Sequence, residues 1–248
     1  MASGTLPSVE LKTAASGFAN GARDDDSLGI GSLVIPRDAY TTAGFLRWTM
    51  TDDFPEKGKI ELIDGEIFID MNAEMIDTHA LLKLAVHSTL APLVDRLELG
   101  VFFPDGTLIT NEAANLSNNP DGSFASNGTL DRKRVEIVPD KSGHYVHSLR
   151  GSPDWVLEIV SRSSVQKDTV KLKKLYYKAG VREYWIIDAR GKEIDFQILV
   201  RGKGGFVSQP KRGNWLNSAV FSRRFSLKRK SYHGLWKYTL DVALAGKG

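Results

Sequence analysis

The residues DWVLEIVS (154–161) form a nearly unbroken apolar run. Such a run reads as a β-strand covered on both faces, as in the interior of a sheet. Ser163 or Ser164 can cap a following helix, in which Val165, Thr169, Leu172, Tyr176 and Ala179 share one face. Lys167, Lys171, Lys174 and Lys178 fall on the opposite face. Gly180 closes that helix, and YWIID (184–188) is a second central strand.

Upstream, KIELIDGEIFID places two β-rich runs around Asp64-Gly65, a strong hairpin signal. Ile76, Ala80, Leu84, Leu90, Leu93, Val94 and Leu97 predict a helix over 75–98, which Pro92 should kink or split. A short helix is expected over Thr41–Met50 and a strand in VFFPDGTLIT, turning at Asp105-Gly106. Another short strand is expected over Asp121–Ser126. Residues 127–150 read as a long charged excursion, either a hairpin arm or a mobile loop. Beyond 188 the pattern suggests hairpins and an irregular basic tail. There RGKGG lacks the Gly-Lys-Ser/Thr of a phosphate loop and reads as a hairpin tip. Residues 1–35, rich in Gly, Ala, Ser and Asp, read as a flexible leader, and 36–248 as a single domain.

Composition narrows the chemistry. The 248 residues include no cysteine, which excludes disulfides, thiolate zinc sites and cysteine nucleophiles. No apolar run approaches the roughly 18–20 residues that span a bilayer, and no secretory signal is visible, so a cytoplasmic location is expected. The net charge of +3 conceals an asymmetry. Phe196–Leu240 holds ten Lys/Arg and no acid, while the rest holds 23 basic and 30 acidic residues. A basic block in a mildly acidic chain fits a polyanion partner, or equally a solvated face.

Glu158 is an acid inside the greasiest strand, and burying an unpaired carboxylate costs several kcal/mol. It therefore calls for a cation, from a side chain or a metal. Asp154 shares its face but lies about 13 Å away along the strand, too far to share an ion with ligand distances of about 2.1 Å. Asp121, opening the short strand before it, is the better partner, although an Asp after Pro is commonly a turn residue. Glu61 and Glu66 offer a third acid or read as surface strand residues. His79, His87, His144 and His147 show no zinc spacing, and no Ser sits in a Gly-x-Ser-x-Gly turn.

In their order, ELIDGEI, Thr78-His79, Pro120-Asp121, PDWVLEIVS and KDTVKLKKLYYKAGVREYWIID resemble the Uma-two family over roughly residues 40–225. Members of that family are described as restriction endonucleases of the PD-(D/E)XK fold. The resemblance implies an α/β restriction-endonuclease-like core, a central mixed β-sheet flanked by helices. It implies Mg²⁺ (or Mn²⁺) held by Asp121 and Glu158, with Glu61 as the upstream acid. The wider fold's lysine, two residues after the Glu, is Val160 here, and the family's usual helix position is Leu172. Lys167 and Lys171 are the nearest substitutes, and Lys167 is preferred.

The resulting expectation is an endonuclease that hydrolyses DNA phosphodiesters with Asp121, Glu158 and Lys167. Lys211, Arg212, Arg223, Arg224, Lys228, Arg229 and Lys230 would track the backbone. Trp215, Phe221, Phe225 and Trp236 would stack on bases or fill strand core. A homodimer would supply the second site that two-strand cleavage needs. The alternative is a catalytically degenerate fold that binds DNA or a protein. A carboxylate-pair glycosidase is weaker, since it would need two acids about 5–9.5 Å apart in an open cleft and an activity independent of metal.

Overall fold

The computed structural model describes residues 33–245. The leader expected over 1–35 thus lies almost wholly outside the described residues. From Asp38 onward the elements pack as one unit. In chain order they are α1 (Thr42–Trp48), β1 (Lys59–Ile63), β2 (Glu66–Asp70), α2 (Leu81–Arg96), β3 (Gly100–Pro104), β4 (Ile109–Asn111) and β5 (Leu116–Asn118). Next come β6 (Gly122–Ser126), α3 (Asn127–Asp131), β7 (Val135–Pro139), β8 (Val146–Gly151), β9 (Trp155–Ile159), α4 (Lys173–Ala179) and β10 (Glu183–Asp188). The chain closes with β11 (Asp195–Arg201), β12 (Phe206–Ser208), β13 (Leu216–Ser218), β14 (Arg223–Tyr232) and β15 (Leu235–Leu244).

The central sheet has six strands in the order β12-β11-β10-β9-β6-β3. Only β9 and β10 run parallel, joined through α4 in the crossover that the strand–helix–strand pattern predicts. Every residue of β9 is buried. Trp155, Leu157 and Ile159 pack on one face with Leu82, Val86 and Leu90 of α2 and with Phe225 and Leu240 of β14 and β15. Val156 and Val160 pack on the other with Leu172, Leu175 and Tyr176. Helices thus flank both faces of a mixed sheet.

A second six-stranded sheet, ordered β2-β1-β5-β4-β8-β7, carries the Asp64-Gly65 hairpin. Ile63 and Leu116 join it to the Val156 face of the central sheet. Both turn residues have positive φ, 55° and 82°, as an Asp-Gly hairpin requires.

Several expectations need correction. The helix expected from 75 begins as a π-helical turn, Ile76–Ala80, before becoming α2. Pro92 does not split α2, because Leu90, Leu93 and Val94 are buried around it and outweigh one lost backbone bond. The 127–150 excursion is α3 followed by the β7–β8 hairpin. The helix after Ser164 passes through a π-helical turn, Lys167–Leu172, and Lys167 at its start is bonded to Glu61 rather than lying in a solvated lysine stripe. RGKGG does cap the β11–β12 hairpin.

The basic tail is not irregular. It forms a three-stranded sheet, β13-β14-β15, whose last two strands pair over ten residues each. Phe221 and Phe225 are buried core, which removes them as base-stacking groups. The faces of Trp215 and Trp236 carry the guanidinium groups of Arg224 and Arg229.

Candidate active site

The antiparallel register of β6 and β9 pairs Gly122 with Leu157 and Ser123 with Val156. One step further along that register, Asp121 lies opposite Glu158, and the two carboxylates share the face looking toward the second sheet. Both residues are 1% exposed. Asp121 Oδ2 accepts the Ile159 backbone N–H at 2.7 Å, which ties the acid to the end of β9. Glu158 Oε1 accepts the Tyr176 hydroxyl at 2.6 Å and the Asn118 amide at 3.4 Å. Tyr176 is therefore more than the apolar-face residue that its helical spacing suggests.

Strand β1 faces this pair from above. Its alternation places Lys59, Glu61 and Ile63 on one side, with Ile63 in the shared core. Glu61 Oε1 accepts the Asn119 N–H at 3.0 Å, and Oε2 accepts from Lys167 Nζ at 3.0 Å. Lys167 Nζ also lies 3.3 Å from Asp168 Oδ1. Lys59 Nζ stands 3.6 Å from Asp121 Oδ1 and 3.9 Å from Asp105, longer than a hydrogen bond. Lys83 Nζ is 3.5 Å from the same Asp121 oxygen but is bonded at 2.5 Å to both Glu74 and Asp105.

Electrostatics follows from this crowding. Burial works to raise Asp121, but Lys59, His79 and Lys83 overcome it and hold the carboxyl far below the carboxylate range. Glu158 goes the other way: burial dominates, and the charges of Asp168 and Asp121 add to it against Lys167 and Lys59. Asp168 is pushed by burial up to about 6, despite Lys167 and the Ser164 hydroxyl. Burial would lower Lys59 and Lys167, yet the surrounding acids raise both, so both remain charged.

Asp121, Glu158, Glu61 and Lys167 all line one cleft of about 710 Å³. Seven of its lining residues are Asp or Glu and three are Lys or Arg, an excess of hard oxygen donors. Asp121 Oδ1 is buried and accepts no hydrogen bond. A buried carboxylate oxygen with no hydrogen bond, met only by the Lys59 and Lys83 ammonium groups at 3.6 and 3.5 Å and beside a second carboxylate, fits a divalent ion such as Mg²⁺ or Mn²⁺. Asp121 also offers one ligand atom to a group with Glu74 and His79, all within 4.8 Å of one another. There, however, His79 Nδ1 faces Glu74 at 3.2 Å and Nε2 faces Asp121 at 3.4 Å. Although burial opposes it, those acids raise the His79 pKa. Both ring nitrogens are thus turned toward carboxylates, and Asp121 and Glu158 are the other pair that could hold a cation.

Lys59, Asp168 and Tyr176 enter the site unannounced by sequence reasoning. For Lys59 a signal existed: Lys59 and Glu61 alternate with apolar Ile60 and Leu62 in a strand. Lys171 lies outside the cleft, paired with exposed Glu66 at 2.5 Å. Leu172 is fully buried core.

Residues 43–229, three quarters of the chain, match the model of the Uma2 family, described as "Putative restriction endonuclease". A solved structure titled "a putative nuclease belonging to DUF820" from Anabaena variabilis ATCC 29413 shares the fold, with a TM-score of 0.52 and 20% identity. That match covers 73% of this chain and 90% of the other. No curated protein matches the chain. Among the described residues no helix is long and apolar enough to cross a membrane. Its matched length, its mixed central sheet and the resemblance carried by its motifs agree: the chain is a member of the Uma2 family and has a restriction-endonuclease-like fold.

Proposed function

We propose that this protein is a metal-dependent endonuclease that hydrolyses phosphodiester bonds of DNA. The observation that carries the reading is the Asp121–Glu158 pair. Two buried carboxylates sit side by side on adjacent strands and line an acidic cleft, and Asp121 Oδ1 has no hydrogen-bond partner. The family description and the nuclease title of the solved relative support it.

Asp121 and Glu158 would hold Mg²⁺ or Mn²⁺, with Glu61 behind them, and the ion when bound would supply phosphate polarisation and an acidified water. The protein's own groups do the rest. The Ile159 N–H and the Tyr176 hydroxyl fix one oxygen of each acid, and Asp121 Oδ1 is left without a hydrogen bond. Lys59, with no hydrogen bond committing its ammonium, can orient a water and offset charge developing on the phosphate. Lys167 is the second ammonium at the site, and it also anchors Glu61 and Asp168. One such site cuts one strand, so cutting both strands calls for a second copy of the chain.

The test is conversion of supercoiled plasmid by the purified chain in Mg²⁺ or Mn²⁺, with the Asp121→Ala and Glu158→Ala variants alongside. Metal-dependent nicking that both variants lose is the expected result. Binding of DNA without cleavage in any divalent metal would overturn the enzyme and leave a binding module.

A further inference from the structure

We infer that the tip of the β14–β15 ribbon is a grip for duplex DNA, overhanging the edge of the fold at which the acids gather. The inference rests on the nuclease reading for its substrate but on separate residues for its argument.

The position follows from two sets of hydrogen bonds. At the base, Glu183, the first residue of β10, accepts from the Ser218 hydroxyl at 2.6 Å and from the Ala219 N–H at 3.0 Å, just before β14. Further out, the Arg229 guanidinium donates to the carbonyls of Ala189, Gly191 and Lys192 at 2.5–2.7 Å, just past the last residue of β10. The ribbon therefore runs the length of β10, and everything beyond Arg229 projects past its C-terminal end. Parallel β9 ends at that same edge, where Glu158, Ile159 and Ser161 line the cleft, and the ribbon comes to this edge from the sheet face opposite the carboxylates.

The chemistry of the projecting part is unusual. Lys230 and Lys237 are direct cross-strand partners, an arrangement that costs free energy unless an anion is near. Both are exposed, as are Tyr232, His233 and Leu235. Lys237 Nζ stands 5.5 Å over the Tyr232 ring. The nearest acid on the ribbon, Asp241, is already bonded to Lys228 at 2.6 Å. Two other basic groups of the ribbon are engaged, Arg229 by backbone carbonyls and Arg224 by Trp215. The turn is a tight His233-Gly234 pair with φ of 51° and 80°, so the ribbon is narrow to its end. A two-stranded ribbon of that width fits the major groove of a duplex, where lysines meet phosphates on both walls.

The test uses the full chain with Lys230→Gln/Lys237→Gln and, separately, Lys230→Glu/Lys237→Glu. Fluorescence anisotropy with a short labelled duplex in Ca²⁺ across a salt series measures binding, and hydrolysis of bis(p-nitrophenyl) phosphate in Mn²⁺ measures the site alone. The Gln pair should weaken duplex binding about tenfold and flatten the salt slope by about 2. The Glu pair should weaken it further, and both should hydrolyse the small diester as wild type does. If the Glu pair lowers the melting temperature, the Gln pair alone decides the matter. Unchanged duplex affinity and slope would overturn the grip while leaving the nuclease reading intact. Equal weakening for a single strand would overturn the commitment to duplex. A wild type that binds duplex through these lysines but hydrolyses no diester would sink the nuclease reading and spare the grip.

Discussion

Replacing Asp168 by Asn removes a carboxylate whose ionisation the fold opposes. Asp168 is 1% exposed and sits with Glu158 and Asp121 against too few cations. Burial raises it from 3.8 to about 6, which makes the ionised form less favourable by about 3 kcal/mol at 1.36 kcal/mol per pH unit. The sign follows from proton binding. Between those two values the folded chain holds a proton that the unfolded chain has lost, so the contribution to stability is full below pH 3.8 and gone once the pH passes 6. Between pH 5 and pH 8 the wild type should lose about 1.4 kcal/mol from this group, and the Asn variant should not. The gap in melting temperature, Asn variant minus wild type, should widen by about 3–5 °C between those pH values. Differential scanning fluorimetry in EDTA at both pH values measures it. The amide keeps a hydrogen bond to Ser164, so packing is preserved. Melting temperatures that change in parallel with pH would refute the claim that the cleft holds more buried negative charge than its lysines neutralise.

Other substitutions probe the same arrangement. Lys59→Met should slow DNA hydrolysis about 10²–10³-fold with little change in DNA affinity, as loss of one charge-stabilising donor does; a full-rate variant would return the role to Lys167. Mn²⁺ at about 100 times its dissociation constant should stabilise the wild type by about 2.7 kcal/mol, and Glu158→Gln should abolish that gain, both read by thermal shift. Glu183→Ala should cost about 3 kcal/mol in urea denaturation, because it strands the Trp185, Ser218 and Ala219 donors that meet at that buried carboxylate.

Read from the sequence alone, the central strands were legible because burial on both faces leaves an unbroken apolar run, and Glu158 stood out against that run as a charge needing a counter-charge. The Asp64-Gly65 and RGKGG turns were legible because their backbone demands are local. The family motifs ordered Asp121, Glu158 and Glu61 along the chain. Only the tertiary structure decided what surrounds them. Lys59 reaches Asp121 because a second sheet lies over the first, and nothing local in KIELI states that. Lys167, the preferred substitute lysine, meets Glu61 because the second sheet brings β1 to its helix. The basic tail read as irregular because its Lys and Arg residues mask the strand alternation, although β14 and β15 pair through the tight His233-Gly234 turn. Chemistry that depends on one residue's own surroundings can be read along a chain; chemistry made by charges converging from distant segments exists only once the sheets have packed.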